Sequence, residues 1–205
     1  AGLDLITTTF QSCDRPLERE LVHVGQLLDR LGFRSFDVCV LECTPASLLS
    51  GAEPPFPAGY RHRPLLSADI PACAELMSAS PDLLMEEVRY PAPECEEILR
   101  ASAGPSGHFS GDLAGVALAP DGRVAGFATA NSTGVIGQLY VRAPHRGLGI
   151  GRALLDRTLR AIARRGIERA ILTAIHGNTA ALALYGRAGF AEIYRYPLFF
   201  RYLKR

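Results

Sequence analysis

No stretch of this sequence approaches the ~20 consecutive apolar residues that a membrane-spanning helix needs, although 48% of its 205 residues are apolar. That share is also too high for a disordered chain. The formal net charge is only +1, so no global field draws the protein to nucleic acid or to a membrane surface. Nor do aromatic residues interleave with the arginines, as a nucleic-acid stacking surface would require. The cysteines, Cys13, Cys39, Cys43, Cys73 and Cys95, are odd in number and contain no Cys-x-x-Cys, which argues against a disulfide framework or a zinc site. Reduced, buried thiols in a cytoplasmic protein are expected. Ala1-Gly2-Leu3-Asp4 carries no basic leader, so no secretory signal is expected. No Ser-His-Asp order, metal-spaced His/Cys cluster or nucleotide P-loop is found either.

What is present gathers in the C-terminal half. Arg146-Gly147-Leu148-Gly149-Ile150-Gly151 stands between a strand-like run, Val135 to Val141, and a helical pattern from Arg152 to about Arg165. A glycine-rich turn in that setting offers bare backbone N–H groups and the positive end of a helix dipole to one point, a place for a phosphate or pyrophosphate. By itself it is equally an ordinary strand-to-helix connection. Arg142, Arg146, Arg152, Arg157, Arg160, Arg164, Arg165 and Arg169 crowd around it, either as a solvated helix face or as a collar for a phosphorylated cofactor. A second strand, Ala170 to Ile175, leads to Asn178-Thr179-Ala180-Ala181-Leu182-Ala183-Leu184-Tyr185 and then Gly186-Arg187-Ala188-Gly189-Phe190. Asn178 and Tyr185 are two helical turns apart, about 10 Å along one face, with Leu182 between them.

Three stretches organise the chain. Residues 1–43 read as strand, helix, strand: β-branched Leu5 to Phe10, a helix start at Asp14-Arg15-Pro16, and an apolar stripe at Leu17, Leu21, Val24, Leu28 and Leu31. Gly32 ends that helix, and Phe33 to Cys43 is the second strand. Residues 44–59 form a linker, because Pro45, Pro54, Pro55 and Pro57 can neither continue a helix nor join mid-sheet. Residues 60–205 hold the remainder: a strand at Tyr60 to Leu65, helices from Ser67 and over Glu94 to Ala103, and a hairpin about Pro120-Asp121-Gly122-Arg123.

The order strand, Arg-x-x-Gly-x-Gly, helix, strand, Asn-x6-Tyr, Gly-Phe, over roughly residues 60 to 196, resembles the GCN5-related N-acetyltransferases, the GNAT superfamily. The resemblance implies an α/β fold: a mixed, mostly antiparallel sheet with a splayed parallel strand pair and helices on both faces. It implies acetyl-CoA as co-substrate, no metal, and a small-molecule or peptide amine as acceptor. The pantetheine amides would lie along Leu139, Tyr140 and Val141. Backbone N–H groups of Gly147, Leu148, Gly149, Ile150, Gly151 and Arg152 would hold the pyrophosphate, with Arg146 adding charge. Asn178 would cap its helix and also bond the pantetheine arm. Tyr185 would be the general acid that protonates the departing thiolate, and an N–H from Leu139 or a near neighbour would polarise the thioester carbonyl.

The base is left open. Many relatives carry a glutamate on the strand before the turn, whereas this chain has Gly137-Gln138. Glu86, Glu87, His108, Asp112 and His176 are candidates, His176 and Glu87 foremost, and a water chain is the alternative. Two activities fit: transfer of an acetyl group to a primary amine by direct attack in a ternary complex, or an acyl-CoA sensor without turnover. Finally, Leu27-Leu28-Asp29-Arg30-Leu31-Gly32-Phe33 can be laid on Leu184-Tyr185-Gly186-Arg187-Ala188-Gly189-Phe190. Residues 1–43 thus resemble the closing strand-helix-strand of a second, truncated unit of the same family, with Leu28 where the phenol would stand. Residues 191–205 contain no Gly, Asn or Asp to turn a hairpin. A strand from residues 34–43 or 3–10 is therefore expected to complete the sheet, within the chain or in a homodimer.

Overall fold

A computed structural model of the chain describes residues 25–80, 90–102 and 111–199, with the backbone of 4–9 and 200–203. In chain order the elements are β1 (Asp4–Thr9), helical residues 25–30 (α1), β2 (Arg34–Cys43), β3 (Arg61–Pro64), α2 (Ile70–Ser78) and α3 (Ala92–Ser102). There follow β4 (Ala114–Leu118), β5 (Val124–Ala130), β6 (Ile136–Val141), α4 (Ile150–Arg164), β7 (Ala170–Ile175), α5 (Thr179–Arg187) and β8 (Ala191–Leu203). The cap expected at Asp14 and the stripe positions Leu17, Leu21 and Val24 lie outside the described residues, as does Cys13.

Strands β3-β4-β5-β6 form one antiparallel sheet in sequence order. Its hairpin closes where the turn residues predict, with Gly122 N donating to Ala119 O (2.9 Å) and Ala119 N to Arg123 O (2.8 Å). One face packs Val116, Val124 and Phe127 against Ile70, Cys73 and Leu76 of α2 and Cys95 and Leu99 of α3. On the other face Ala117, Ala125 and Ala128 are small enough to admit Ile150 and Leu154 of α4. The far side of α4 (Leu155, Leu159, Ile162) packs on Leu41, Leu172 and Phe190. Helix α4 therefore ties this sheet to the next, and its glycine-rich N-terminus is held firmly in place.

The two sheets meet where β6 and β7 run parallel. Val135 bridges Ile171, and Ile171 N donates to Gly134 O (3.0 Å). A side chain is excluded at Gly134: its φ is +87° and a Cβ would lie 2.3 Å from the Arg169 carbonyl oxygen. Beyond this one bridge the strands part and a cavity opens between them, the splayed parallel pair expected from the resemblance.

The second sheet has the order β1-β8-β2-β7, antiparallel throughout. Strand β2 lies between β7 and β8, so residues 34–43 add to the sheet within this chain as expected. Rather than a hairpin, residues 191–203 make one long strand. Its Pro197 sits opposite Asp37 of β2, just before the pairing with β1 begins at Leu198, so among the described residues only one strand flanks the missing N–H. The strand order reads the same from either end when β1-α1-β2 is exchanged with β7-α5-β8. The two helices also end alike. Phe33 N donates to Leu28 O (2.9 Å) and Gly32 N to Asp29 O (3.0 Å), while Phe190 N donates to Tyr185 O (3.1 Å) and Gly189 N to Gly186 O (3.1 Å).

Candidate active site

After β6 a short 3-10 turn, Ala143–His145, carries the chain into the glycine turn. Gly149 is the N-cap of α4, with φ +87°, and a Cβ there would meet nothing within 4 Å. The first helical bond is Ala153 N to Gly149 O (3.0 Å), so the N–H groups of Ile150, Gly151 and Arg152 precede the i→i−4 ladder and point out of the helix end. Helix α4 begins two residues earlier than its periodicity suggests, because Ile150 is buried against the alanine face. Arg146 is folded back, its Nε donating to Val141 O (2.9 Å) and its Nη2 lying 3.4 Å from Ser80 Oγ.

The wedge between β6 and β7 holds a cavity of about 400 Å³. Leu139 and Tyr140 line it from β6, Thr173 and Ala174 from β7, and Asn178 and Tyr185 from α5. Four residues named from sequence, Leu139, Tyr140, Asn178 and Tyr185, are thus brought to one space, while Val141 and the glycine turn, next along the chain, are not among the residues that line it. Register shows why the β6 backbone is available. Arg142 N bonds Ala125 O (2.8 Å), and bonded pairs alternate along an antiparallel ladder. Tyr140–Phe127 and Gln138–Thr129 are then the bonded pairs, so Leu139 and Val141 turn their N–H and C=O toward the wedge. Asn178 caps α5 by accepting from Ala181 N (3.1 Å). Tyr185 packs edge-on against Phe190 at 5.9 Å.

Four further lining residues were not singled out from sequence: Phe36 and Val38 on β2, and Tyr196 and Leu198 on β8. They reach the wedge because β2 is threaded between β7 and β8. The lack of any Gly, Asn or Asp in residues 191–205 to turn a hairpin was the sequence signal for that threading, but it did not identify which side chains would face the cavity.

The base candidates are scattered. Glu86, Glu87 and His108 lie outside the described residues. Asp112 pairs with Arg165. His176 is not among the described residues lining the cavity. Its Nδ1 is 3.6 Å from Cys39 Sγ and its Nε2 is 3.2 Å from Arg195 Nη1. A guanidinium only donates, so Nε2 is the acceptor and Nδ1 carries the ring proton. Glu192 completes this cluster, its carboxylate held by Arg195 at 2.9 and 2.8 Å. Ligand atoms of Cys39, His176 and Glu192 come within 4.8 Å of one another, a grouping invisible in the sequence. Burial raises the pKa of the Cys39 thiol, and a hydrogen bond to Glu192 adds to the rise.

The arginine collar is largely structural. Arg160, 4% exposed, pairs with Asp156 and donates to the carbonyls of Gly51 (3.0 Å) and Ala52 (2.8 Å), which fastens the linker to α4. Arg157 pairs with Glu53 (2.9 Å) and Arg169 with Glu42 (3.5 Å). Among the described residues, Cys39, Cys43, Cys73 and Cys95 are free and buried; burial lifts Cys43 and Cys73 to about 12. No helix of the described residues is long and apolar enough to cross a membrane.

Comparison with known proteins agrees with this geometry. The model of the Acetyltransferase (GNAT) family matches residues 78–190, more than half of the chain, and the chain belongs to that family. It is 35% identical over 163 residues to a mycothiol acetyltransferase of Kineococcus radiotolerans, covering 78% of this chain and 52% of that protein. Over 68 residues it is 43% identical to the N-alpha-acetyltransferase MAK3 of Arabidopsis thaliana, covering 32% of this chain and 36% of that one. Its fold matches a GCN5-related N-acetyltransferase from Sphaerobacter thermophilus with a TM-score of 0.68 at 22% identity, covering 99% of this chain and 61% of that chain. The chain thus spans between about a third and three fifths of these relatives' lengths.

Proposed function

We propose that the chain is an acetyl-CoA-dependent N-acetyltransferase that passes an acetyl group to a primary amine by direct attack in a ternary complex. The observation that carries this reading is the single cavity shared by Leu139, Tyr140, Asn178 and Tyr185, on the strand that leads into the glycine turn at the start of α4. In this reading the pantetheine amides bond the outward N–H and C=O groups of Leu139 and Val141, in the manner of an added strand. The pyrophosphate rests on the N–H groups from Gly147 to Arg152. The amine lone pair attacks the thioester carbon, a C–N bond forms and the C–S bond breaks. Tyr185 protonates the leaving thiolate, and the Leu139 N–H stabilises the oxyanion. The amine's proton goes to a base, for which His176 and Glu87 are the named candidates and water the alternative. His176 serves only once Arg195 leaves its Nε2. Following free thiol from acetyl-CoA over a panel of primary amines tests the reading. Release that depends on the amine supports it. Binding without release supports the second reading, an acyl-CoA sensor, which is favoured by one observation: Gln138 lines the wedge and cannot take a proton.

We also propose that residues 1–43 are the closing strand-helix-strand of a second, truncated unit of the family, that residues 44–59 are the linker, and that residues 60–205 carry the catalytic site. The strand order β1-β8-β2-β7 supports this, because each unit's last strand lies beside the other's first. The matched helix ends at Gly32-Phe33 and Gly189-Phe190 support it as well.

A further inference from the structure

At the apex of the wedge lies a second, smaller chamber of about 240 Å³. It shares Gly137, Gln138 and Thr173 with the larger cavity, so the two adjoin along β6 and β7. Thr129, fully buried on β5, lines the chamber, and its Oγ1 has no hydrogen-bond partner among the described residues. Gln138 stands directly opposite Thr129 in the ladder, so both side chains project from the same face of the sheet. That face is the one covered by α2 and α3, since Phe127, two residues along β5, packs there. Ser102, at the end of α3, closes the chamber on the same side. No ionisable side chain is among the described residues that line it.

A buried hydroxyl without a partner is costly, and native proteins seldom keep one unless something polar completes it. The chamber's occupant must therefore bring a hydrogen-bonding atom. An alkyl group would fill the space and leave Thr129 unpaired, while a carboxylate or a second ammonium would enter uncompensated by any charge among the described residues that line it. At ~30 Å³ per water molecule the space exceeds what one water fills and admits a group of a few heavy atoms.

We propose that this chamber selects the acceptor, taking a neutral hydroxyl carried close to the reacting amine and pairing it with Thr129 Oγ1 and the Gln138 amide. The proposal rests on the acetyltransferase reading above and names its substrate class: amino alcohols, whether free or as the hydroxylated first residue of a peptide. A site built around a hydroxyl discriminates sharply against the analogue that lacks it, because its own polar groups are then left unpaired.

The test uses isosteric pairs with acetyl-CoA: serinamide against 2-aminobutanamide for the peptide-like source, and 2-aminoethanol against propylamine for the free amino alcohol, each compared per free base. Wild type should favour the hydroxylated member of at least one pair by ten-fold or more in kcat/KM. Thr129→Val should bring that ratio to within about two-fold of one and leave the thermal midpoint undiminished, since the hydroxyl it removes has no partner among the described residues; Thr129→Ser should keep the preference. A wild-type ratio near one in both pairs, or an unchanged ratio in Thr129→Val, overturns the proposal and leaves the chamber to water. Binding separates this idea from the catalytic one. With acetyl-CoA present, serinamide should raise the thermal midpoint more than 2-aminobutanamide does, and Thr129→Val should erase the difference, whether or not thiol is released. If both amides shift the midpoint equally in wild type while amine-dependent thiol release is intact, the subsite is wrong and the acetyltransferase reading stands.

Discussion

Replacing Gly149 with leucine tests the cofactor loop with little else disturbed. Gly149 has φ +87° with open space where a Cβ would go, so the substitution meets no neighbour and costs only backbone strain, about 1–2 kcal/mol. Gly166, just past the other end of α4, has φ +73° and equally open space. The helix between them is 15 residues long, which separates the two by roughly 22 Å. Gly166→Leu is therefore a control for strain without proximity. For a chain of this size a kcal/mol corresponds to roughly 2–4 °C in the thermal midpoint, so both variants should melt about 2–8 °C below wild type. Acetyl-CoA at about 100 times its Kd stabilises the folded state by about 2.7 kcal/mol. Thermal scans should then show wild type and Gly166→Leu rising by about 5–11 °C with ligand and Gly149→Leu hardly at all, because its side chain stands where the pyrophosphate would approach. A full ligand shift in Gly149→Leu would refute the assignment of the glycine turn to the cofactor.

Tyr185→Phe keeps the ring against Phe190 and removes the hydroxyl. Turnover followed by thiol release should fall roughly 10²-fold, with the acetyl-CoA thermal shift retained; wild-type turnover would make water the acid. Asp69 is 8% exposed, and the Arg63 guanidinium holds its carboxyl below the usual range, helped by the Leu66 N–H and opposed by burial. A depressed carboxylate stabilises above its unfolded pKa, near ~4, and loses that contribution as pH falls through the folded value. Asp69→Asn should thus cost about 1 kcal/mol at pH 7, discounted because Arg63 is partly exposed, and the gap between the urea midpoints of variant and wild type should shrink as pH falls below ~4. A chain beginning at Pro57 would lack β2, which pairs from Val38 to Cys43 with β7 and from Arg34 to Glu42 with β8. Size-exclusion chromatography should find it aggregated or unfolded; a monomer as active as the whole chain would make the first 56 residues dispensable.

Much of the site was legible because its signals are local. The glycine turn lies between β6 and α4, and Asn178 and Tyr185 share one face of α5, so spacing alone brought them near each other. The arginines were harder to read, since a collar for a phosphorylated ligand and a row of internal fasteners have the same composition. Only the structure shows Arg160 spent on the carbonyls of Gly51 and Ala52. His176 followed the right strand, yet its ring is turned to Cys39 and Arg195, partners that lie far away in sequence. Strand pairing was the least legible feature, because a sheet's order is set by contacts that leave no local periodicity. Residues 191–205, with no Gly, Asn or Asp to turn a hairpin, left a vacancy in the sheet that β2 fills, and this deficit was readable.

That vacancy links the first 43 residues to the chemistry. Alternation along β2 sends Phe36 and Val38 to the cavity, while Cys39, a neighbour of Val38, faces the opposite way toward His176. Strand β8 repeats the pattern, with Tyr196 and Leu198 on the cavity and Arg195 behind it on His176 and Glu192. The two strands that wall this part of the cavity are therefore pinned together from behind by one polar cluster. Substitutions in that cluster should disturb the cavity through the register of β2 without touching a bound substrate. An N-terminal strand that looks accessory in sequence is thus a wall of the cavity.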